Sequence, residues 1–208
     1  MGHFIEWFAG ACCFGLFIYK WVIIAAVVIT WIGADPHNQL VRFINRITRP
    51  LWVWCEHRMP VMMAHFSAYA SILVVIFAQV VIPAELLTIN LYLQGLTDFT
   101  GLIYQSGGHI LQATSIVIQS TLYFFIFVLV LWFLIGFVNP SLNNPLVRII
   151  HVLADPIITP LQRYLPRTRI DWSPLVAVLF FYFINSTIVS PMGFFGSNLS
   201  FPISICLY

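Results

Sequence analysis

Residues 143–185, NNPLVRIIHVLADPIITPLQRYLPRTRIDWSPLVAVLFFYFIN, decide the fold, because they join a polar-striped helix to a long apolar run. Arg148, His151, Asp155, Thr159 and Gln162 recur every three or four residues, while Leu146, Val147, Ile149, Ile150, Val152, Leu153, Ile157, Ile158 and Leu161 fill the positions between them. That spacing predicts an amphipathic helix over 144–165 with one narrow wet face. Asn144 suits its N-cap and Pro145 its first turn, where a missing N–H costs nothing. Pro156 and Pro160 are expected to kink or interrupt it. Downstream, residues 172–189 are long enough for a bilayer span, and Asp171 and Ser173, just before Pro174, are placed to cap its start.

Working outward, the same pattern recurs earlier at a constant offset of 106 residues. Leu40, Val41 and Arg42 pair with Leu146, Val147 and Arg148, then Pro50 with Pro156, Pro60 with Pro166 and Ser67 with Ser173. The stripe returns as Arg42, Asn45, Arg49 and Glu56, predicting a second amphipathic helix over 38–58 that Pro50 should kink or interrupt. Gln79 and Asn185 also pair, and are expected to face one another between the repeats, since a buried amide in lipid seeks a partner.

The rest of the chain makes a bilayer the setting. Of 208 residues, 61% are hydrophobic and only 8% charged, against about a quarter charged in soluble proteins. Apolar stretches at residues 8–33, 61–82, 115–138 and 172–189 predict four transmembrane helices, and their length and lack of alternation exclude barrel strands. The expected fold is therefore an all-α membrane protein of four transmembrane helices in two parallel repeats, 1–95 and 96–208, each with a cytoplasmic interfacial amphipathic helix. Residues 83–111 are expected to be a loop.

All eight arginines fall between spans one and two or three and four, as Arg42, Arg46, Arg49, Arg58, Arg148, Arg163, Arg167 and Arg169. The positive-inside rule then places those segments in the cytoplasm and both termini outside, in the cell inner (plasma) membrane. The amino-terminal stretch lacks a basic n-region and a cleavage pattern and is expected to be retained. Lys20 falls near the middle of the first stretch; it is either a functional intramembrane charge or a side chain that snorkels to the headgroups.

Cys12, Cys13, Cys55 and Cys206 have no metal or disulfide spacing and read as unpaired. Six histidines lie in flanking segments or near span ends, so no haem, metal or other cofactor is expected. No nucleophile elbow or phosphate loop appears, which argues against an enzyme. Sparse basic residues flanking spans argue against nucleic-acid contact and for anionic headgroups. Arg163 or Arg169 can reach the carboxylate of Asp155 or Asp171, and a surface salt bridge or a lipid contact is expected there in preference to chemistry.

The quoted stretch resembles the signature of the YggT (YlmG) family, with Asn144, Pro145, Leu146, Val147, Arg148, Asp155, Pro156, Pro160, Leu161, Arg163, Pro166, Ile170, Asp171, Ser173 and Pro174 on matching positions. The first copy departs from it at Gln39, Arg49, His65 and Ala68, and Thr168 and Arg169 replace the usual glycines. The resemblance implies an inner-membrane or thylakoid protein connected with osmotic stress tolerance, membrane organisation or complex assembly, with no established catalytic residue. Two functions follow as expectations: a non-enzymatic membrane factor that docks on anionic lipid and a membrane complex or a second copy, or an oligomeric ion channel or osmotic-stress transporter component.

Overall fold

A computed structural model describes residues 2–32, 34–59, 67–138, 145–164 and 171–200. Asn144, Pro166, Pro60, His65, Arg167, Thr168, Arg169, Ile170 and Cys206 lie outside them. The regular structure of the described residues is helical: α1 Gly2–Ile32, α2 Gln39–Arg58, α3 Ser67–Leu93, α4 Phe99–Val138, α5 Pro145–Tyr164, α6 Ser173–Ile184, a π-helical turn at Asn185–Val189, and α7 Ser190–Leu199. Four stretches, His3–Thr30, Ser67–Leu93, Phe99–Gly136 and Ser173–Leu199, are long and apolar enough to cross a membrane. The chain is thus an all-helical, multi-pass membrane protein, folded as two compact units, residues 1–117 with 192–208, and residues 118–191.

In the first unit α3 packs along α1, and α2 packs on both. Asn38 caps α2 by accepting the Leu40 N–H at 2.9 Å. Val41, Thr48 and Cys55, every seventh residue, form its buried face, and the Tyr19 hydroxyl of α1 donates to the Ile47 carbonyl at 3.3 Å. Pro50 lies inside α2, which continues to Arg58. One lost backbone bond is outweighed when the rest of the helix is held by packing on two neighbours.

The expected loop at 83–111 is also corrected: α3 runs on through a buried Pro83 to Leu93 and α4 begins at Phe99. Its polar residues find partners inside the helices, with the Thr88 hydroxyl donating to the Ala84 carbonyl at 2.9 Å and the Gln94 amide to Asn90 Oδ1 at 3.2 Å. A Schellman motif ends α3: Gly95 N–H bonds the Tyr92 carbonyl and Leu96 N–H the Leu91 carbonyl, both at 3.0 Å. Gly95 sits at φ 71°, a conformation that side chains resist.

Asp98 then caps α4, accepting the Gly101 N–H at 2.9 Å and the Thr100 hydroxyl at 2.6 Å. Bonds from the Thr100 hydroxyl and the Gly101 N–H hold its carboxyl below the ordinary carboxylate range. A depressed carboxyl stabilises the fold fully above its unfolded-state pKa of about 3.9 and ceases to as pH falls through the lower folded value. Asp98→Ala is therefore expected to lower the melting temperature in detergent at neutral pH, with the gap from the unsubstituted protein closing in acid. A gap independent of pH would overturn the capping role.

In the second unit, Val128 and Leu129 of α4, Ala154 and Ile158 of α5 and Ala177 of α6 form the core. Helix α5 continues past Pro156 and Pro160 to Tyr164. The last span keeps its helix past the expected end by widening: Pro191 has no N–H and its ring crowds the preceding turn, and just before it the Ser190 N–H bonds the Asn185 carbonyl across a π turn. Among the cysteines, Cys12 and Cys55 are free. Cys13 is disulfide-bonded, a correction that spacing could not anticipate, because pairing depends on which thiols the fold brings within reach.

Candidate functional site

On α2, Arg42, Arg46, Arg49 and Val53 recur at intervals of four, three and four, which aligns them in one stripe beside the buried face. The three arginines are exposed, and among the described residues none of them forms an ion pair. They edge a groove of about 1180 Å³ whose apolar wall is Phe43, Pro50 and Val53. Free guanidinium groups around an apolar floor suit a ligand that is anionic at one end and greasy at the other, since guanidinium binds phosphate bidentately. Arg58 is engaged differently, with its guanidinium 4.0 Å from the centre of the Trp54 ring.

In the second repeat α5 buries Val147, Ala154 and Ile158 and exposes Arg148, Asp155 and Arg163. Pro145 is the first residue of α5, as its fixed φ predicts. Arg163 forms no ion pair among the described residues, and Arg169 lies outside them. Asp155 instead faces His151 Nδ1 at 3.8 Å, and that same nitrogen accepts the Trp132 indole N–H at 3.1 Å. Asp171 accepts the Gln162 amide and the Ser173 N–H. Burial raises its carboxyl, but the Ser173 and Gln162 bonds together bring it below the usual range. Capping of α6 by Asp171 thus acts one residue ahead of the N-cap, Trp172, while Ser173 and Pro174 are buried in the first turn.

Lys20 lies one residue beyond Tyr19, the side chain that touches α2, and its ammonium is 5.0 Å from the Phe17 ring centre. It therefore stands level with the arginine helix. Gln79 is buried in the first unit. Asn185 is buried in the second, where its amide donates to the Tyr123 hydroxyl at 3.2 Å.

One polar cluster was not anticipated. Glu85 of α3 accepts the Ser106 hydroxyl of α4 at 2.7 Å and faces Nδ1 of the fully buried His109 at 3.3 Å. Among the described residues, His109 Nε2 and Gln105 Oε1 are buried without partners. The signal in the sequence was the absence of glycine or proline between Ala84 and Gln94, which a true loop would carry. Among the described residues no three His, Cys, Asp or Glu side chains gather as a metal site.

A family model described as CCB3/YggT matches residues 6–87 and 111–192, one segment for each repeat. Proteins named "Uncharacterized protein YggT" from Escherichia coli K12 and O157:H7 are each 23% identical over 185 residues, covering 88% of this chain and 89% of theirs. No solved structure matches.

Proposed function

The chain belongs to the CCB3/YggT family, and from that premise we propose that it is a non-enzymatic factor of the inner (plasma) membrane whose arginine helices dock on anionic lipid. Both termini lie on the non-cytoplasmic side in this reading, because the arginine-bearing segments face the cytoplasmic leaflet. Its contribution is to membrane organisation, complex assembly or osmotic stress tolerance, with a membrane complex or a second copy as protein partner. The observation that carries it is the set of three exposed, unpaired arginines around the apolar-walled groove of α2. An interfacial helix of this kind binds through buried apolar area and headgroup attraction together. Lys20, level with that helix, extends the same cationic band by snorkelling. Titrating the purified chain with phosphatidylglycerol, with and without those arginines, is the test.

The second reading, an ion pathway in an oligomer, is favoured by one observation, the Glu85, Ser106 and His109 cluster inside two candidate spans. Ionisable side chains at such depth mark ion and proton routes more often than they serve structure. Under this reading, proteoliposomes pass potassium or protons and Glu85→Gln abolishes the flux. Absence of flux above protein-free vesicles leaves the lipid-docking reading standing alone.

A further inference from the structure

We propose that a second cavity, where α1, α2 and α3 meet, binds a zwitterionic headgroup made of a phosphate and a primary ammonium, as in an aminoethyl phospholipid. The cavity measures about 440 Å³ and is lined by Thr30 of α1, Asn45, Arg49, Trp52 and Glu56 of α2, and Ser67 of α3. That volume lies within the roughly 300–1,000 Å³ of small-molecule sites. On α2, Asn45, Trp52 and Glu56 fall between the buried stripe and the arginine stripe, so the cavity opens where protein gives way to headgroups.

Four unmet needs converge there. Arg49 and Glu56 form no ion pair among the described residues. Trp52 Nε1 and Asn45 Oδ1 are buried with no hydrogen-bond partner among the described residues. An indole N–H only donates and an amide oxygen only accepts, and leaving either unmet when buried is costly. The missing partners are thus an anionic acceptor for Arg49 and Trp52, and a cationic donor for Glu56 and Asn45. Arg49 and Glu56 are seven residues apart, about 10 Å along the helix axis, so their long side chains can close on the two ends of one headgroup. A simple anion leaves Glu56 unanswered, a glycerol headgroup offers no cation, and a choline offers no N–H.

This inference rests on the reading that α2 faces lipid headgroups. The test is native mass spectrometry of the full-length protein in detergent, titrated with phosphatidylethanolamine, phosphatidylcholine and phosphatidylglycerol of matched acyl chains. The ethanolamine lipid is expected to be retained about tenfold over the choline lipid, the order of effect of a charge-assisted hydrogen bond. Glu56→Gln removes that discrimination, whereas Trp52→Phe, which keeps the ring and deletes the N–H, weakens retention of both lipids. Equal retention of the two by the unsubstituted protein, or discrimination that survives Glu56→Gln, overturns the proposal. Displacement of the lipid by free O-phosphoethanolamine would assign the site to a soluble ligand and overturn the lipid source. Loss of the arginine effect on phosphatidylglycerol with ethanolamine discrimination intact defeats only the groove reading; the reverse pattern defeats only this one.

Discussion

Replacing Arg42, Arg46 and Arg49 together by glutamine is expected to lower the apparent affinity for phosphatidylglycerol about a hundredfold, since each arginine near a headgroup surface contributes about 1 kcal/mol. The three are exposed and unpaired among the described residues, so each guanidinium is available to phosphate. Glutamine keeps side-chain length and helix propensity, and the buried face of Val41, Thr48 and Cys55 is untouched. The melting temperature should therefore hold while lipid binding falls. Salt should reproduce part of the loss by screening. Arg58→Gln is the comparison: its guanidinium already lies over the Trp54 ring at 4.0 Å, so its removal should change lipid affinity far less. An affinity unchanged in the triple variant sinks the docking role.

Gly196→Ala should destabilise far more than Gly193→Ala, although the two glycines sit three residues apart on α7. At Gly196 an added Cβ would stand 2.8 Å from the Gln112 backbone nitrogen and 2.9 Å from the Gly108 carbonyl oxygen. Gly108 answers in kind, its Cβ meeting the Gly196 carbonyl at 2.8 Å and the Ser200 nitrogen at 2.9 Å. Backbone meets backbone here, as small residues permit in membrane helices. Neither helix can yield without parting from the other, so Gly196→Ala should cost about 1–3 kcal/mol, the range of core overpacking. At Gly193 the obstacle is the Ser115 hydroxyl at 2.6 Å, with its Cβ at 3.4 Å. That hydroxyl can turn away only by giving up its bond to the Gln112 carbonyl at 2.8 Å, a loss of about 1 kcal/mol that offsets the helix propensity alanine regains. Thermal unfolding in detergent decides; equal shifts for the two variants would mean that α4 and α7 do not cross this closely.

The anticipated features are those whose cause lies close in sequence. Pro145 at the first turn of α5 and the four apolar spans were readable because helix periodicity and bilayer thickness act on neighbouring residues. Where expectation failed, a distant partner had changed the local balance. Residues 84–93, expected in a loop, continue α3, which packs along α1. Cys13, expected to be unpaired, is disulfide-bonded.

By itself, then, the sequence determined the helical class, the number of candidate spans and the duplication, because run length and period are properties of a stretch of chain. Only the tertiary structure decided which polar groups meet. Tyr19 reaches Ile47 across 28 residues, Glu85 reaches Ser106 across 21, and Asn185 reaches Tyr123 across 62. Gly108 and Gly196 touch because nothing but hydrogen separates two backbones, and the cavity between Arg49 and Glu56 exists because three helices pack around it. Such contacts are set by the shape complementarity of packed surfaces, which no single stretch of sequence contains.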